Sequence, residues 1–111
     1  MTVSLKVVRQ RLMHAMIVAN IEREGLRIDT AAVRSLVDHD LDYFADLPTQ
    51  LAYVQVWARI VDTNDVAAVK AIAERDDETG NEMRNRSPLR VLLTESERLQ
   101  VIDQLREYLA G

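Results

Sequence analysis

An all-α fold, arranged as a single bundle of about five helices, follows from three features of this sequence. Breakers are scarce: 111 residues hold three glycines and two prolines, whereas a sheet-rich chain needs a turn every eight to twelve residues or so. Apolar residues recur at spacings of three and four through most of the chain. Ala, Leu, Val, Arg and Glu are abundant, and with so few breakers long helices are favoured over a sheet. A hydrophobic content of 48% against 29% charge favours a packed core over disorder. At this length roughly 65% of the unfolded surface can leave water, so one domain over residues 1–111 is expected.

Helix one is expected from about Val3 to Glu24. Leu5, Val8, Leu12, Met16 and Ala19 form one stripe, Met13, Ile17 and Ile21 a second, and Val7 with Val18 a third. A surface helix needs only one such stripe, so this helix is either the centre of the bundle, shared with a partner subunit, or part of a ligand pocket. Gly25 ends it as a glycine just past the C-cap. Asp29 or Thr30 caps helix two, where Val33, Leu36, Val37, Leu41 and Phe44 repeat helically. Pro48 belongs to the first turn of helix three, where a missing N–H costs nothing. Trp57 lies in the middle of that helix, as a large core filler whose indole N–H needs one acceptor or as an anchor at an interface. Asp62, Thr63 and Asn64 break the chain before a short helix four over Asp65 to Arg75.

Between Glu74 and Ser87 the texture changes to ERDDETGNEMRNRS, with one hydrophobe and both signs of charge. A polar mobile loop at about 74–88 is expected here, exposed and available for contact. Pro88 restarts order, and LRVLL supplies a compact apolar patch. Thr94 and Glu97 then have the spacing of a capping box for the last helix, with Leu99, Ile102, Leu105 and Leu109 as its stripe. The alternative is one longer helix from Pro88 to Leu109.

Charge and composition narrow the function. Without cysteine, disulfides, thiolate zinc sites and cysteine nucleophiles are excluded. Basic residues ahead of the apolar stretch Leu12 to Ile21 resemble a secretion leader, but His14 and Asn20 interrupt the stretch and ten residues or so cannot span a bilayer. A cytoplasmic protein without a membrane anchor is expected. The net charge of −4 divides unevenly: +3 over residues 1–28, −8 over 29–82 and +1 over 83–111. That balance suits non-specific nucleic-acid binding poorly unless oligomerisation gathers the basic ends.

Tests for chemistry give no catalytic signature. Asp38 and Asp42 share a helix face and His39 lies three before Asp42, yet two ligands are not a metal site and the other histidine, His14, is far off in sequence. The run from Asp76 to Glu82 imitates a calcium loop, but its glycine falls one position early and Ser87 stands where a bidentate Glu is required. No serine has a histidine and carboxylate in a recognisable arrangement. No catalytic residue, metal, cofactor or small-molecule substrate is therefore assigned. Arg84, Arg86 and Arg90 form a basic cluster suited to phosphate or to an acidic partner. Met13, Ile17, Ile21, Leu99 and Ile102 are the expected oligomer interface, through helix one or the C-terminal helix.

Residues 51–109 resemble the C-terminal half of terminase small subunits from tailed phages. The resemblance is carried by an aromatic-bearing helix, YVQVWARIVD, then a polar tract, an apolar segment opened by proline, RSPLRVLL, and an amphipathic end, ERLQVIDQLREYL. Two features depart from that family: no helix-turn-helix reader precedes the match, and Tyr108-Leu109-Ala110-Gly111 replaces its Leu-Gly-Leu-x-Pro-like ending. The resemblance implies a non-catalytic homo-oligomer in DNA packaging, working beside a separate ATPase and DNA. The alternatives are a small regulator presenting its acidic middle to a basic target, and a helical enzyme using carboxylates.

Overall fold

A computed structural model describes residues 4–110. Six helices, one 3-10 turn and no strand occur among the described residues. The helices are α1 (Leu5–Glu24), α2 (Ala31–Tyr43), α3 (Pro48–Asp62), α4 (Val66–Glu74), α5 (Glu78–Asn85) and α6 (Glu95–Ala110), with the 3-10 turn at Pro88–Leu92 between the last two. The expected start of helix one at Val3 lies outside the described residues.

Local signals place the helix ends. Gly25 adopts φ 63°, and its N–H reaches the Ile21 carbonyl at 2.8 Å, closing α1 in the left-handed geometry that favours glycine. The Thr30 hydroxyl accepts from the Val33 N–H at 3.2 Å and starts α2, while Asp29 pairs with Arg27 instead. Pro48 occupies the first turn of α3. Asp65 caps α4 through the Ala68 N–H. Asn64, at φ 48°, accepts the Ile28 N–H at 2.9 Å and so pins the α1–α2 connector to the α3–α4 corner.

α1 is the hub, packing against α4, α5, α6 and the 3-10 turn, while α2 pairs with α3 and with the 3-10 turn. Of its three apolar stripes, the one containing Ile17 and Ile21 enters the core. There it joins Ile28, Val33, Trp57, Val61, Val69 and Leu89. Trp57 is wholly buried, and its indole N–H donates to the Met83 carbonyl at 2.7 Å, so the core-filler alternative holds.

The tract expected as an exposed polar loop contains α5. Asp77 caps this helix by accepting the Gly80 N–H at 2.8 Å, and Gly80, Met83 and Arg84 form its buried face at spacings of three and four. Arg84 is 1% exposed, a charged residue in a core position. Its Nη1 donates to the carbonyls of Ile72 and Arg75, each at 2.7 Å, and its Nη2 to Asn81 Oδ1 at 2.6 Å. Ile72 and Arg75 stand at the C-terminal end of α4, where carbonyls run short of helical partners, and the Ile72 carbonyl has a long bond from the Arg75 N–H at 3.4 Å. The guanidinium therefore seals one helix end from within the next helix. Gly80 makes room for it, since a Cβ there would meet the Arg75 carbonyl oxygen at 2.7 Å and Arg84 Nη1 at 3.0 Å.

A break precedes α6 rather than one long helix from Pro88. The Thr94 hydroxyl accepts from the Glu97 N–H at 3.1 Å, and Glu97 Oε1 accepts from the Thr94 N–H at 2.9 Å, which is the expected capping box. The other Glu97 oxygen accepts from the Asn20 amide of α1. One carboxylate thus starts α6 and ties it to α1.

Candidate functional site

Two clefts flank the α1–α6 contact. A groove of about 640 Å³ runs between α1, the 3-10 turn and the start of α6. Its apolar lining comes from Met13, Leu93, Val101 and Ile102, and its polar lining includes Arg9, Arg90 and Arg98. Glu95 is the one acid among the lining residues, and it already pairs with Arg98 at 3.1 Å. Arg90 spends one N–H on the Ser87 carbonyl at 3.0 Å, and Arg9 is in no salt bridge among the described residues. An apolar floor beneath clustered guanidinium groups suits a partner that is apolar and acidic together.

α6 continues this surface. Val101 is its one fully buried residue. Leu99, Ile102, Tyr108 and Leu109 remain 53%, 38%, 53% and 58% exposed. At about 100° per residue, the apolar positions of α6 fan over roughly half its circumference. α1 covers the edge bearing Val101, and the edge bearing Leu99, Ile102 and Leu109 stays open. On the far side of the α1–α6 contact, Leu12, Met16, Gln100 and Gln104 line a second cleft of about 430 Å³.

No known protein family, curated protein or solved structure matches this chain. The site is therefore read from its own residues.

The three arginines expected to act together are separated by their partners. Arg84 is 1% exposed and packed against α4, with Nη1 and Nη2 bonded inside the bundle and Nε buried without a partner. Arg86 pairs with Glu82 at 3.4 Å and lies 5.5 Å from the centre of the Phe44 ring. Arg90 alone joins the groove. The expected interface residues divide likewise. Ile17 and Ile21 are 1% and 4% exposed and belong to the core of their own subunit, so they are not available to a partner. Met13 is half-buried in the groove floor, and Leu99 and Ile102 are exposed on α6.

Asp38, His39 and Asp42 have another arrangement. No group of three or more metal-ligand side chains occurs among the described residues. His39 stacks on Tyr43 with ring centroids 6.1 Å apart, and Phe44 meets Tyr43 edge-on at 4.9 Å. Tyr43 is 69% exposed, and Leu47 beyond it 46%. Asp38, Asp42 and Asp46 flank this aromatic stack at four-residue spacing, and none is in a salt bridge among the described residues. The α2–α3 corner is thus acidic, aromatic and open. The acidic face of helix two is legible in the sequence, whereas Tyr43, Leu47, Arg9 and Arg98 as contact residues are not. The available signal was a tyrosine and a leucine set among aspartates at helical spacing.

His14 belongs to the core. Burial pushes its pKa down to about 4, helped by the nearby Arg84 charge and opposed by a bond between Nδ1 and the Gln10 carbonyl at 2.7 Å. Its Nε2 is sealed from solvent without a hydrogen-bond partner, so it has no route to a bound substrate.

No described helix is long and apolar enough to cross a membrane.

Proposed function

We propose that this protein works by association rather than catalysis, as a self-assembling interaction component whose contact surface is the open edge of α6 with the adjoining groove. The DNA-packaging role implied by the terminase resemblance is the most specific form of this reading. One observation carries the proposal: Leu99, Ile102 and Leu109 face solvent from a helix that buries only Val101 completely. Fully burying a leucine or isoleucine is worth about 1.5–3 kcal/mol, and these three are about half exposed, so each would return roughly half of that under a second polypeptide.

Light scattering coupled to size exclusion, across a range of concentrations, tests the reading. The expected species is larger than the 12.7 kDa monomer. Leu99→Glu with Ile102→Glu should return it to a folded monomer with a cooperative melting transition, lowered by no more than the loss of association and of the part of Ile102 that lies in the groove. A wild-type protein that remains at 12.7 kDa at every concentration ends the proposal.

A further inference from the structure

The groove beside α6 has a complementary surface on the same chain. Resting on the self-association reading, we infer that the groove formed by α1, the 3-10 turn and α6 receives the acidic α2–α3 corner of a second copy, with Tyr43 entering over its apolar floor.

Chemistry matches on both sides. The groove offers Arg9, Arg90 and Arg98 around Met13, Leu93 and Ile102. The corner offers Asp38, Asp42 and Asp46 around Tyr43 and Leu47. A large exposed aromatic residue is the kind of group that anchors protein contacts, particularly when its conformation is fixed beforehand. Tyr43 is held between His39 and Phe44. The turn beneath it is ordered by bonds from the Phe44 N–H to the Asp40 carbonyl and from the Leu47 N–H to the Phe44 carbonyl, both 2.9 Å.

Each surface carries charge that its own subunit leaves uncompensated. The three aspartates and Arg9 have no salt-bridge partner among the described residues. α2, which ends at the corner, packs against the 3-10 turn that carries Arg90 of the groove, so the two surfaces are built on adjoining elements. A contact between two different patches is heterologous, so an open chain of docked copies keeps one free groove at one end and one free corner at the other, and growth continues until a ring closes or a filament forms. Ile102 belongs both to the groove and to the open edge of α6, so the docked corner also covers part of that edge.

Charge reversal tests this pairing. One variant carries Asp42→Arg and Asp46→Arg, the other Arg9→Glu and Arg98→Glu, and thermal melting verifies that each remains folded. Each alone is expected to run as monomer at concentrations where wild type assembles, and an equimolar mixture is expected to restore assembly, since each variant then meets its opposite charge. The first variant takes the net charge from −4 to zero. Reduced general repulsion should favour its association, so its dissociation would report the specific surface. Wild-type assembly should also weaken as salt rises from about 0.1 M to about 1 M, where the screening length falls from about 10 Å to about 3 Å. If wild type assembles and the corner variant assembles equally well, or the mixture of variants does not recover, the corner is not the occupant, while association through α6 stands. If wild type is monomeric throughout, both proposals are overturned.

Discussion

Arg84 donates from α5 to the carbonyl of Ile72, twelve positions earlier in α4, over 2.7 Å. The same guanidinium holds Arg75 and Asn81, so its donors join the end of one helix to the body of the next. Burial lowers its pKa, and no carboxylate contacts it directly; Asp76 and Asp77 oppose that shift from farther away. Arg84→Met should therefore leave the Arg75 carbonyl unmet and the Ile72 carbonyl with the 3.4 Å bond from the Arg75 N–H, and destabilise the fold by about 1–3 kcal/mol, measured by urea denaturation. A variant as stable as wild type would show that these bonds contribute nothing net.

Gly80→Ala separates intrinsic helix preference from packing. In an open helix the change is favourable by about 1 kcal/mol. Here the new methyl group meets the Arg75 carbonyl and Arg84 Nη1. The expected result is a loss of about 1–3 kcal/mol, read as a lower denaturation midpoint.

His14 makes stability depend on pH. Its folded pKa of about 4 lies below its ordinary 6.5, so the unfolded chain takes up a proton first as pH falls. Stability from this residue is flat above about pH 6.5 and declines from there to about pH 4. Between about pH 7 and pH 5 wild type should lose about 2 kcal/mol more than His14→Leu, in paired denaturation curves. Parallel curves for the two proteins would contradict the assignment.

Glu97 connects a helix start to another helix. Glu97→Ala removes its return bond to Thr94 and its bond from Asn20. A loss of about 1–2 kcal/mol is expected, together with faster amide exchange in the first turn of α6. Asn20→Ala should reproduce part of the stability loss while leaving the Thr94–Glu97 pair and its exchange protection in place.

Local chemistry made much of the fold legible. Gly25, Thr30, Pro48 and the Thr94–Glu97 pair act within a few residues of themselves, and each marks a helix end as expected. Trp57 was legible as a core residue because its size leaves few alternatives, although Met83 as its acceptor was not. α5 was hidden because Arg84 counts as polar in any periodic pattern, and only the open carbonyls of α4 make it a core residue. Periodicity also could not decide which stripe of α1 turns inward. That depends on α4 and α5 closing over Ile17 and Ile21 while α6 leaves Leu12 and Met16 partly open. The groove escaped detection for the same reason, since Arg9 and Arg98 come together only when α1 and α6 do.

The Asn20–Glu97 bond spans 77 positions, and the helices it joins emerge from the ribosome at opposite times. α1 must wait, with its greasy flank toward α6 uncovered, while nearly all the intervening polypeptide is made. A nascent chain stalled before Glu95 would therefore expose Met13 and Met16 to chaperones, and proteolytic clipping in the Leu93–Thr94 link would have the same effect on a finished molecule.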